Sequence, residues 1–511
     1  MELKGESWAP LLCAGLAAAL AGSMIIGARD FALDDAWIHL SYAKSLRSGD
    51  GLSYNPGDWE TGFSSPLWVL VLAVWPIAGN PVVPVKLLGA LLHALTAWAG
   101  ASLVLDVLRE RATVERPLPV LSLTLLAGVL VGSTPTLVHA ATSGMEVPLT
   151  AAMLLLTLRA SLRGSVITAG VLGGLSVWAR PEALFFLGTF GPLLALARWR
   201  SRAPAPSIRA PAAACLGAAL ALGPWVVYCL VVSGYPWPNT WYIKGGGGLS
   251  GLDYLSTEVL PLQPWIVSLT GLVLLVLAVR DAIKSRRAEA SVILLAWIVG
   301  VIAIATSRPL TEGVQFYESR YFAIAAALPM VVIPLGVAAT QVGPTPPRWT
   351  RYLAIALALP VGVLCGLQIH HLRGALLDQS EDTHVLHNAV ARFIAEELPP
   401  DAVVAVEGAG APRFFAPRSM TLVDLVGLND REAAHRHFDP PAKICHYVGR
   451  DLTHIAMPAE WLGIYGRVFE LRALAQFDDP HYTQVVPARP MTVVVFAVDG
   501  VRPEWAQRCA Q

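Results

Sequence analysis

The chain has 511 residues, of which 55% are hydrophobic and only 14% are charged, and its mean hydropathy is +0.54. This is too apolar for an ordinary soluble protein, so the composition predicts a polytopic helical membrane protein embedded in a lipid bilayer. The formal net charge is zero, so the composition suggests no nucleic-acid partner. The cysteines show no metal-ligand spacing. We assign no metal or other cofactor, although the acidic residues are compatible with a divalent cation.

The first apolar segment, Trp8 to Gly27, is long enough to span the membrane and is interpreted as an uncleaved anchor. Two adjacent carboxylates, Asp34 and Asp35, follow it and precede a short amphipathic run predicted to be a helix in the membrane interface. One interpretation is that the carboxylates only cap this helix. One cap needs one carboxylate, however, so we favour a functional acidic pair.

Ten further apolar segments give eleven predicted spans in total. They lie at roughly 82–106, 118–138, 146–159, 165–179, 182–197, 211–232, 264–280, 290–306, 321–340 and 351–371. Residues 66–78 are apolar but short for a span. We expect them to lie in the interface or to dip in and out of the membrane, within a first outer loop of about residues 29–81.

The loops between these spans alternate sharply in basic content. One set holds fifteen lysine and arginine residues, whereas the other set, between residues 139 and 320, holds only Arg180, Lys244, Arg308 and Arg320. The positive-inside rule places the fifteen in the cytoplasm, and Lys4 places the N-terminus there as well. Residues 372–511 are then outside the cytoplasmic membrane.

Unusual polar residues gather at the outer ends of the predicted spans. Charges at span ends are costly unless they are paired or solvated. Each could simply reach to the interface on its own, but their concentration on one face favours a shared substrate cavity. The residues are Glu146, Arg180, Glu182, Asn239, Tyr242, Lys244, Glu318, Arg320 and Tyr321.

Residues 372–511 form a second predicted unit, a small α/β domain. An amphipathic helix is predicted from Val385 to Leu398, followed by strands at residues 403–406, 421–426, 454–457 and 492–498. The turn at residues 407–410 is Gly-rich but lacks a P-loop lysine, and we interpret it as structural. Cys445 and Cys509 are the only cysteines of this unit. In an oxidising compartment we expect them to form a disulfide, the alternative being two free thiols.

A resemblance to a known family rests on the run DDAWIHLSYAKSLRSGDGLSYNPGDWETGFSSPLW, which begins at Asp34. It resembles the first periplasmic loop of bacterial type C glycosyltransferases, and most closely the arabinofuranosyltransferase-like group typified by the mycobacterial terminal enzyme. The pieces SGMEVPL, ARPEA, PNTWYIK, SRYF and VDLVGLND are similar to pieces found in the same order in that group. The resemblance covers most of the chain. It implies a membrane glycosyltransferase module over residues 1–371 and a cavity open to the periplasm.

The resemblance also implies a polyprenyl-phosphate sugar as donor and a glycan or lipid of the cell envelope as acceptor. Such chemistry needs a carboxylate base, for which Asp34 and Asp35 are the candidates, and cations that hold the leaving phosphate. Arg320 and Arg180 are the first choices as phosphate ligands, and Lys244 is the next. Family members can carry arginine where Ser41 stands here. Lys44 or His39 is the expected substitute.

The main alternative is a transporter or flippase of lipid-linked sugars, which would also have many spans and buried charges. Such proteins are often built from internal repeats with broken spans in matching positions. We find no internal repeat in this sequence.

Overall fold

The fold is taken from a computed structural model. The structure describes residues 6–77, 79–112, 119–200, 209–244, 288–307, 319–340, 350–436, 439–485 and 487–510, together with residues 252 and 276. Apart from residue 276, the predicted span at 264–280 lies outside the described residues, and so does the candidate residue Glu318.

The helices of the N-terminal part alternate with short connections. They are α1 Ala9–Ile25, α2 Asp35–Arg47, α3 Pro66–Val74, α4 Val82–Arg111, α5 Val120–Gly132, α6 Pro135–Thr142, α7 Val147–Leu162, α8 Val166–Ala179, α9 Ala183–Arg200, α10 Arg209–Ser233, α11 Asn239–Ile243, α12 Glu289–Ser307, α13 Ser319–Ala323, α14 Ala327–Thr340 and α15 Thr350–Asp382. Between α2 and α3, the strands β1 Ser53–Asn55 and β2 Asp58–Trp59 form an antiparallel pair.

Four stretches in the described part of the chain are helical, long and apolar enough to cross a membrane: Val82–Arg111, Arg209–Ser233, Glu289–Ser307 and Arg320–Ala339. The pair α5 and α6 passes the same test jointly but bends by 53°. The apolar helices α1, α7 and α8 are shorter. The long apolar helices are those of a helical membrane protein, as the composition predicts.

Two details refine the predicted spans. Helix α3 has nine residues and is therefore only about 14 Å long, less than half the thickness of the hydrocarbon core.

The predicted span at 118–138 is broken between α5 and α6, because Thr134 is extended (ψ 114°) and precedes Pro135. Proline disfavours the helical conformation of the residue before it and lacks the N–H that would continue the helix.

The C-terminal part is built around a five-stranded sheet. Its strands are β3 Val403–Val406, β4 Thr421–Asp424, β5 His454–Pro458, β6 Phe469–Tyr482 and β7 Arg489–Val501, in the order β4-β3-β5-β7-β6. Strand β3 pairs in parallel with β4 and β5, whereas β7 pairs antiparallel with β5 and β6. Four of the strands lie where the sequence predicts them. Strand β6 was not predicted.

Helices surround this sheet. They are a π-helix at Thr383–His387, α16 Asn388–Glu397, α17 Ala411–Phe415, α18 Arg431–His435, α19 Pro440–Val448, α20 Leu462–Tyr465 and α21 Pro503–Cys509. The structure contains a disulfide between Cys445 in α19 and Cys509 in α21, and their Cα atoms lie 5.1 Å apart. The bridge links α21 covalently to α19.

The two parts of the chain share a hydrophobic core. Helix α15 runs past residue 371 to Asp382 and continues into the π-helix and α16, so the predicted boundary falls inside a helix. One cluster of buried side chains combines Phe31, Trp37 and Tyr54 from the N-terminal part with Val404 and Leu422 from the sheet. Because these side chains pack together, the sheet is held directly over the first outer loop.

Candidate active site

Helix α2 is enclosed rather than lying in an interface. All residues from Ala36 to Ala43 are buried. The centre of the Trp37 ring lies 4.8 Å from the ring centre of Phe414 and 5.2 Å from that of Phe415, both in α17. The prediction of an interfacial helix with one apolar face is therefore wrong in this respect. Aromatic residues of the C-terminal part cover the face that was expected to be solvated.

Asp34 contacts the C-terminal part instead of capping its own helix. Its carboxylate accepts hydrogen bonds from the backbone N–H groups of Gly410 (2.7 Å) and Ala411 (2.8 Å), and it makes no side-chain cap on α2. The two donors lie just beyond the carboxyl end of β3, and β3 itself runs between its parallel neighbours β4 and β5. Ligands commonly bind at this edge of an α/β sheet. In this chain, its own carboxylate occupies the position.

The Gly-rich turn at residues 407–410 is shaped to receive Asp34. A Cβ atom on Gly410 would lie 2.3 Å from the backbone oxygen of Asp34 and 2.8 Å from its Oδ2. Burial raises the pKa of Asp34, an effect opposed by His387 and by the two backbone N–H groups. Burial also raises the pKa of Glu407 to about 7, with Asp34 and Asp424 adding to the shift. These contacts give the turn a structural role.

Asp35 has a different environment from Asp34. Its Oδ2 accepts a hydrogen bond from Nη2 of Arg320 at 2.8 Å, and its side chain remains 21% exposed. Asp35 lines a cavity of about 490 Å³, a volume that includes open solvent at its mouth. Of the adjacent carboxylates, Asp35 is thus the one that faces this cavity.

The cavity brings together segments that are far apart in sequence. The α2 face, the first outer loop, the start of α9, α11 and α13 all contribute. It is lined by Asp35, Ile38, His39, Gly62, Phe63, Ser64, Met145, Arg180, Pro181, Glu182, Thr240, Trp241, Lys244, Arg320, Tyr321 and Leu428. The predicted residues Asp35, His39, Arg180, Glu182, Lys244, Arg320 and Tyr321 are therefore gathered around one space. Three of them are cations, so the cavity can hold an anionic group.

Arg180 is fixed by two buried carboxylates. Its Nη1 lies 2.8 Å from Oε1 of Glu146, and its Nε donates to Oε2 of Glu182 at 3.2 Å. The guanidinium carbon also lies 4.7 Å from the centre of the Tyr321 ring, and that of Arg320 lies 5.5 Å from it. Cation–π contacts of this kind are attractive and orient the guanidinium planes. Glu146 does not line the cavity itself and instead supports Arg180 from behind.

His39 sits between Asp35 and Glu146. Its Nδ1 is 3.0 Å from the backbone oxygen of Asp35, and its Nε2 is 4.0 Å from Oε2 of Glu146. Burial lowers the pKa of His39, an effect opposed by the negative charges of Glu146 and Asp35. The imidazole is only 4% exposed.

Several predicted site residues lie elsewhere. Lys44 donates from Nζ to the backbone oxygen of Phe414 at 2.6 Å, because its position on α2 faces the C-terminal part. Ser41 donates to the backbone oxygens of Trp37 and Gly410. Tyr242 packs against Tyr235 and His435 rather than lining the cavity. The predictions that Lys44 binds phosphate and that Tyr242 lines the cavity are not supported by this geometry.

The C-terminal part contributes the lip of the cavity through Leu428. The loop that contains Leu428 is held by the Asp424 carboxylate. This carboxylate accepts hydrogen bonds from the backbone N–H groups of Val426, Gly427 and Asn429, all at 2.9 Å. The side-chain oxygen of Asn429 in turn accepts a hydrogen bond from the hydroxyl group of Tyr42 at 2.9 Å. The loop is therefore locked onto α2.

Asn239 and Glu60 secure the same lip from the other side. Asn239 Nδ2 donates to Oε2 of Glu60 (3.1 Å) and to the backbone oxygen of Leu428 (3.3 Å). Burial, and then the neighbouring Asp58, raise the pKa of Glu60 to about 7. Asn239 was predicted to line the cavity but is a support beneath it.

The residues that sequence reasoning missed are the small and apolar ones of the lining, such as Gly62, Phe63, Thr240 and Leu428. A Cβ atom on Gly62 would lie 2.2 Å from Oδ1 of Asn429, so the lip can approach the first outer loop only at a glycine. Each missed residue lies in or next to a segment that carries the family resemblance. Those segments were thus the available signal.

The fold is similar to a solved structure. The crystal structure of ArnT from Cupriavidus metallidurans bound to undecaprenyl phosphate matches with a TM-score of 0.60 and 14% identity, over 95% of this chain and 97% of that chain. The same ArnT in the apo state matches with a TM-score of 0.55, at the same identity and coverage. The chain thus has an ArnT-like fold. This fold agrees with the membrane fold that the sequence resemblance implied.

Two comparisons of sequence complete this result. The family described as "Domain of unknown function (DUF8728)" matches residues 372–500. No curated protein matches the chain. The family match covers most of the C-terminal part, including the sheet and the Leu428 lip.

Proposed function

We propose that this protein is a glycosyltransferase that moves a sugar from a polyprenyl-phosphate donor to an extracytoplasmic glycan or lipid acceptor. One observation carries the proposal. A carboxylate, Asp35, and a cation, Arg320, lie 2.8 Å apart in a cavity that Arg180 and Lys244 also line. The ArnT fold supports it, because the related solved structure holds undecaprenyl phosphate.

The cavity offers one group for each requirement of the reaction. The acceptor hydroxyl gives its proton to the Asp35 carboxylate, and its oxygen forms the new bond to the anomeric carbon. The bond from that carbon to the phosphate oxygen breaks, and its electron pair leaves with the polyprenyl phosphate. Arg320 and Arg180 then stabilise the added negative charge, since guanidinium groups bind phosphate oxygens in a bidentate way.

The proposed orientation has the N-terminus in the cytoplasm and the C-terminal part outside a bacterial cytoplasmic membrane. It follows from the alternation of basic loops, with eleven spans and α3 not crossing. In this arrangement the first outer loop and residues 372–511 lie on the same side, which agrees with their shared core. A lipid donor would present its phosphate at that face while its chain stays in the bilayer.

Within the type C glycosyltransferases, we propose an arabinofuranosyltransferase-like specificity. The support is the run that begins at Asp34 together with the order of the later pieces, two of which contribute Arg180 and Lys244 to the cavity. The donor sugar under this proposal is a pentofuranose.

The proposal is tested by incubating the purified protein with a panel of polyprenyl-phosphate sugars, including pentofuranosyl and hexosyl donors, and with glycan and lipid acceptors. We expect release of polyprenyl phosphate and an acceptor whose mass increases by one sugar. A flippase would instead move a fluorescent lipid-linked sugar across proteoliposomes without cleaving it. That outcome, with no cleavage of any donor, would contradict the proposal.

A further inference from the structure

His39 is the one imidazole of the described cavity lining, and its two ring nitrogens have different surroundings. Nδ1 lies 3.0 Å from the backbone oxygen of Asp35. A carbonyl oxygen can only accept, so Nδ1 carries the proton in this contact. In the neutral ring, Nε2 is then left with a lone pair.

Nε2 is buried and has no hydrogen-bond partner within the described part of the chain. A buried polar atom without a partner is unfavourable, and such atoms are uncommon in native structures. Oε2 of Glu146, an acceptor, lies 4.0 Å from it. A neutral Nε2 cannot donate to it. A protonated one is attracted to it but remains too distant for a hydrogen bond.

The charges facing His39 come from four elements. Asp35 on its own helix and Glu146 before α7 favour the protonated ring, whereas Arg320 of α13 opposes it. Lys244, after α11, lines the same cavity. Glu146 is largely committed to Arg180 at 2.8 Å. An anion that enters the cavity would add to the negative charges of Asp35 and Glu146, which favour the protonated ring.

We propose that His39 is a proton-linked ligand of the donor phosphate: the ring takes up one proton as the phosphate enters, and Nε2–H then donates to a phosphate oxygen. This inference rests on the proposed function, from which the phosphodiester donor comes. It also gives the unpartnered atom its partner. Because the proton comes from solvent, donor binding consumes one proton and strengthens as the pH falls.

The sign of the effect follows from the pKa of His39 in the two states. Burial lowers this pKa in the free protein, and an adjacent phosphate anion raises it in the complex. Affinity is therefore highest below the free-state pKa. It falls by about tenfold per pH unit between the two pKa values, and is constant above the pKa of the complex.

The experiment measures binding of methyl farnesyl phosphate, a phosphodiester that keeps one charge throughout the neutral range, to the purified full chain. Isothermal titration calorimetry in two buffers with different ionisation enthalpies counts the protons taken up. We expect uptake approaching one proton near neutral pH for the wild type. His39→Gln places an uncharged N–H near the Nε2 position, so it should bind with no such uptake and with little pH dependence.

Lys44→Gln is the matched control, because Lys44 lies further along the same helix α2 and contacts Phe414 instead of the cavity. It should retain the uptake of the wild type. Wild-type binding without proton uptake, or uptake that persists in His39→Gln, would overturn the inference alone. Failure of the wild type to bind at any pH would overturn the proposed function as well.

Dimethyl phosphate serves as a second probe that lacks the chain. If the ligand is a lipid phosphate, dimethyl phosphate should bind at least a hundredfold more weakly, since each buried CH₂ group contributes about 0.8 kcal/mol. Equal affinity for both probes would contradict a lipid donor and indicate a small water-soluble phosphate ester.

Discussion

Asp34 and Asp35 show what a sequence can and cannot reveal about single residues. The sequence showed that an acidic pair at this position is unusual. It did not show that the two carboxylates have different contacts. Successive residues at the start of a helix point about 100° apart, so the side chains of Asp34 and Asp35 have different surroundings. Which of them faces the cavity depends on α17 and α13, which are distant in sequence. The same limit applies to Lys44, whose direction is set by the C-terminal part.

Arg320 provides a prediction at the same scale. Arg320→Lys should weaken binding of a prenyl phosphodiester by about tenfold or more, because a planar fork that can hold Asp35 and phosphate together becomes a single ammonium group. The dissociation constant measured by calorimetry checks this. Arg472→Lys is the control, since Arg472 makes an exposed two-bond pair with Asp499 on the outer sheet. If both variants bind like the wild type, Arg320 is only an interfacial anchor.

Among the elements, those with a clear period or composition were predictable and those defined by tertiary contacts were not. Strands β3, β4 and β7 are rich in Val and Thr, and β5 is a short apolar run that contains Ile455. Strand β6 has charged residues and Pro480 within it, which argue against a strand in isolation. It lies at the edge of the sheet, where proline and charge are tolerated. Pro135 is a local indication of the bend between α5 and α6. The continuous apolar pattern on both sides of it nevertheless led to the prediction of a single span.

The turn that receives Asp34 leads to a prediction on stability. Gly410 has φ −84°, which alanine adopts without strain, so any effect of Gly410→Ala must come from its contact with Asp34. We expect a loss of about 1–3 kcal/mol, the usual effect of overpacking. Gly463→Ala is the control, because a Cβ atom there meets nothing within 4 Å. Thermal unfolding of both variants checks this. If Gly410→Ala were as stable as the wild type, the turn would accommodate the added methyl group without loss of stability, which would contradict this prediction.

Glu407 in the same turn predicts a dependence on pH. Its pKa is raised from 4.5 to about 7, so the folded chain binds the extra proton in that interval and stability falls as pH rises through it. Glu407→Gln removes this loss. The variant should be more stable than the wild type at pH 8, by about 1 kcal/mol or more, and the difference should shrink towards pH 5. A difference that does not change with pH would contradict this explanation.

At the scale of the whole molecule, the apolar composition was sufficient to predict a helical membrane fold. The sequence did not reveal that the C-terminal part forms the lip of the cavity. Leu428 reaches the lining only because Gly62, Asn239 and Tyr42 hold its loop. These contacts join three segments separated by hundreds of residues, and no local pattern encodes them. They make the two parts of the chain one functional body.

The proposed orientation predicts where the end of the chain lies. A reporter enzyme that is active only outside the cytoplasm, fused after Gln511, should be active, because the basic loops keep the opposite face inside. Peptides containing Cys445 and Cys509 should remain linked in non-reducing mass spectrometry, as the disulfide requires an oxidising compartment. Activity of a cytoplasm-only reporter at this position would count decisively against the orientation.

The central claim is that Asp35 is the base of a sugar transfer from a polyprenyl-phosphate donor. Its most direct test is the initial rate of transfer by purified Asp35→Asn, compared with the wild type and with Asp34→Asn. We predict a loss of at least about a hundredfold for Asp35→Asn, the usual contribution of a general base. Asp34→Asn should retain most of its rate, because this carboxylate binds Gly410 and Ala411 outside the cavity. Near-normal transfer by Asp35→Asn would contradict the account.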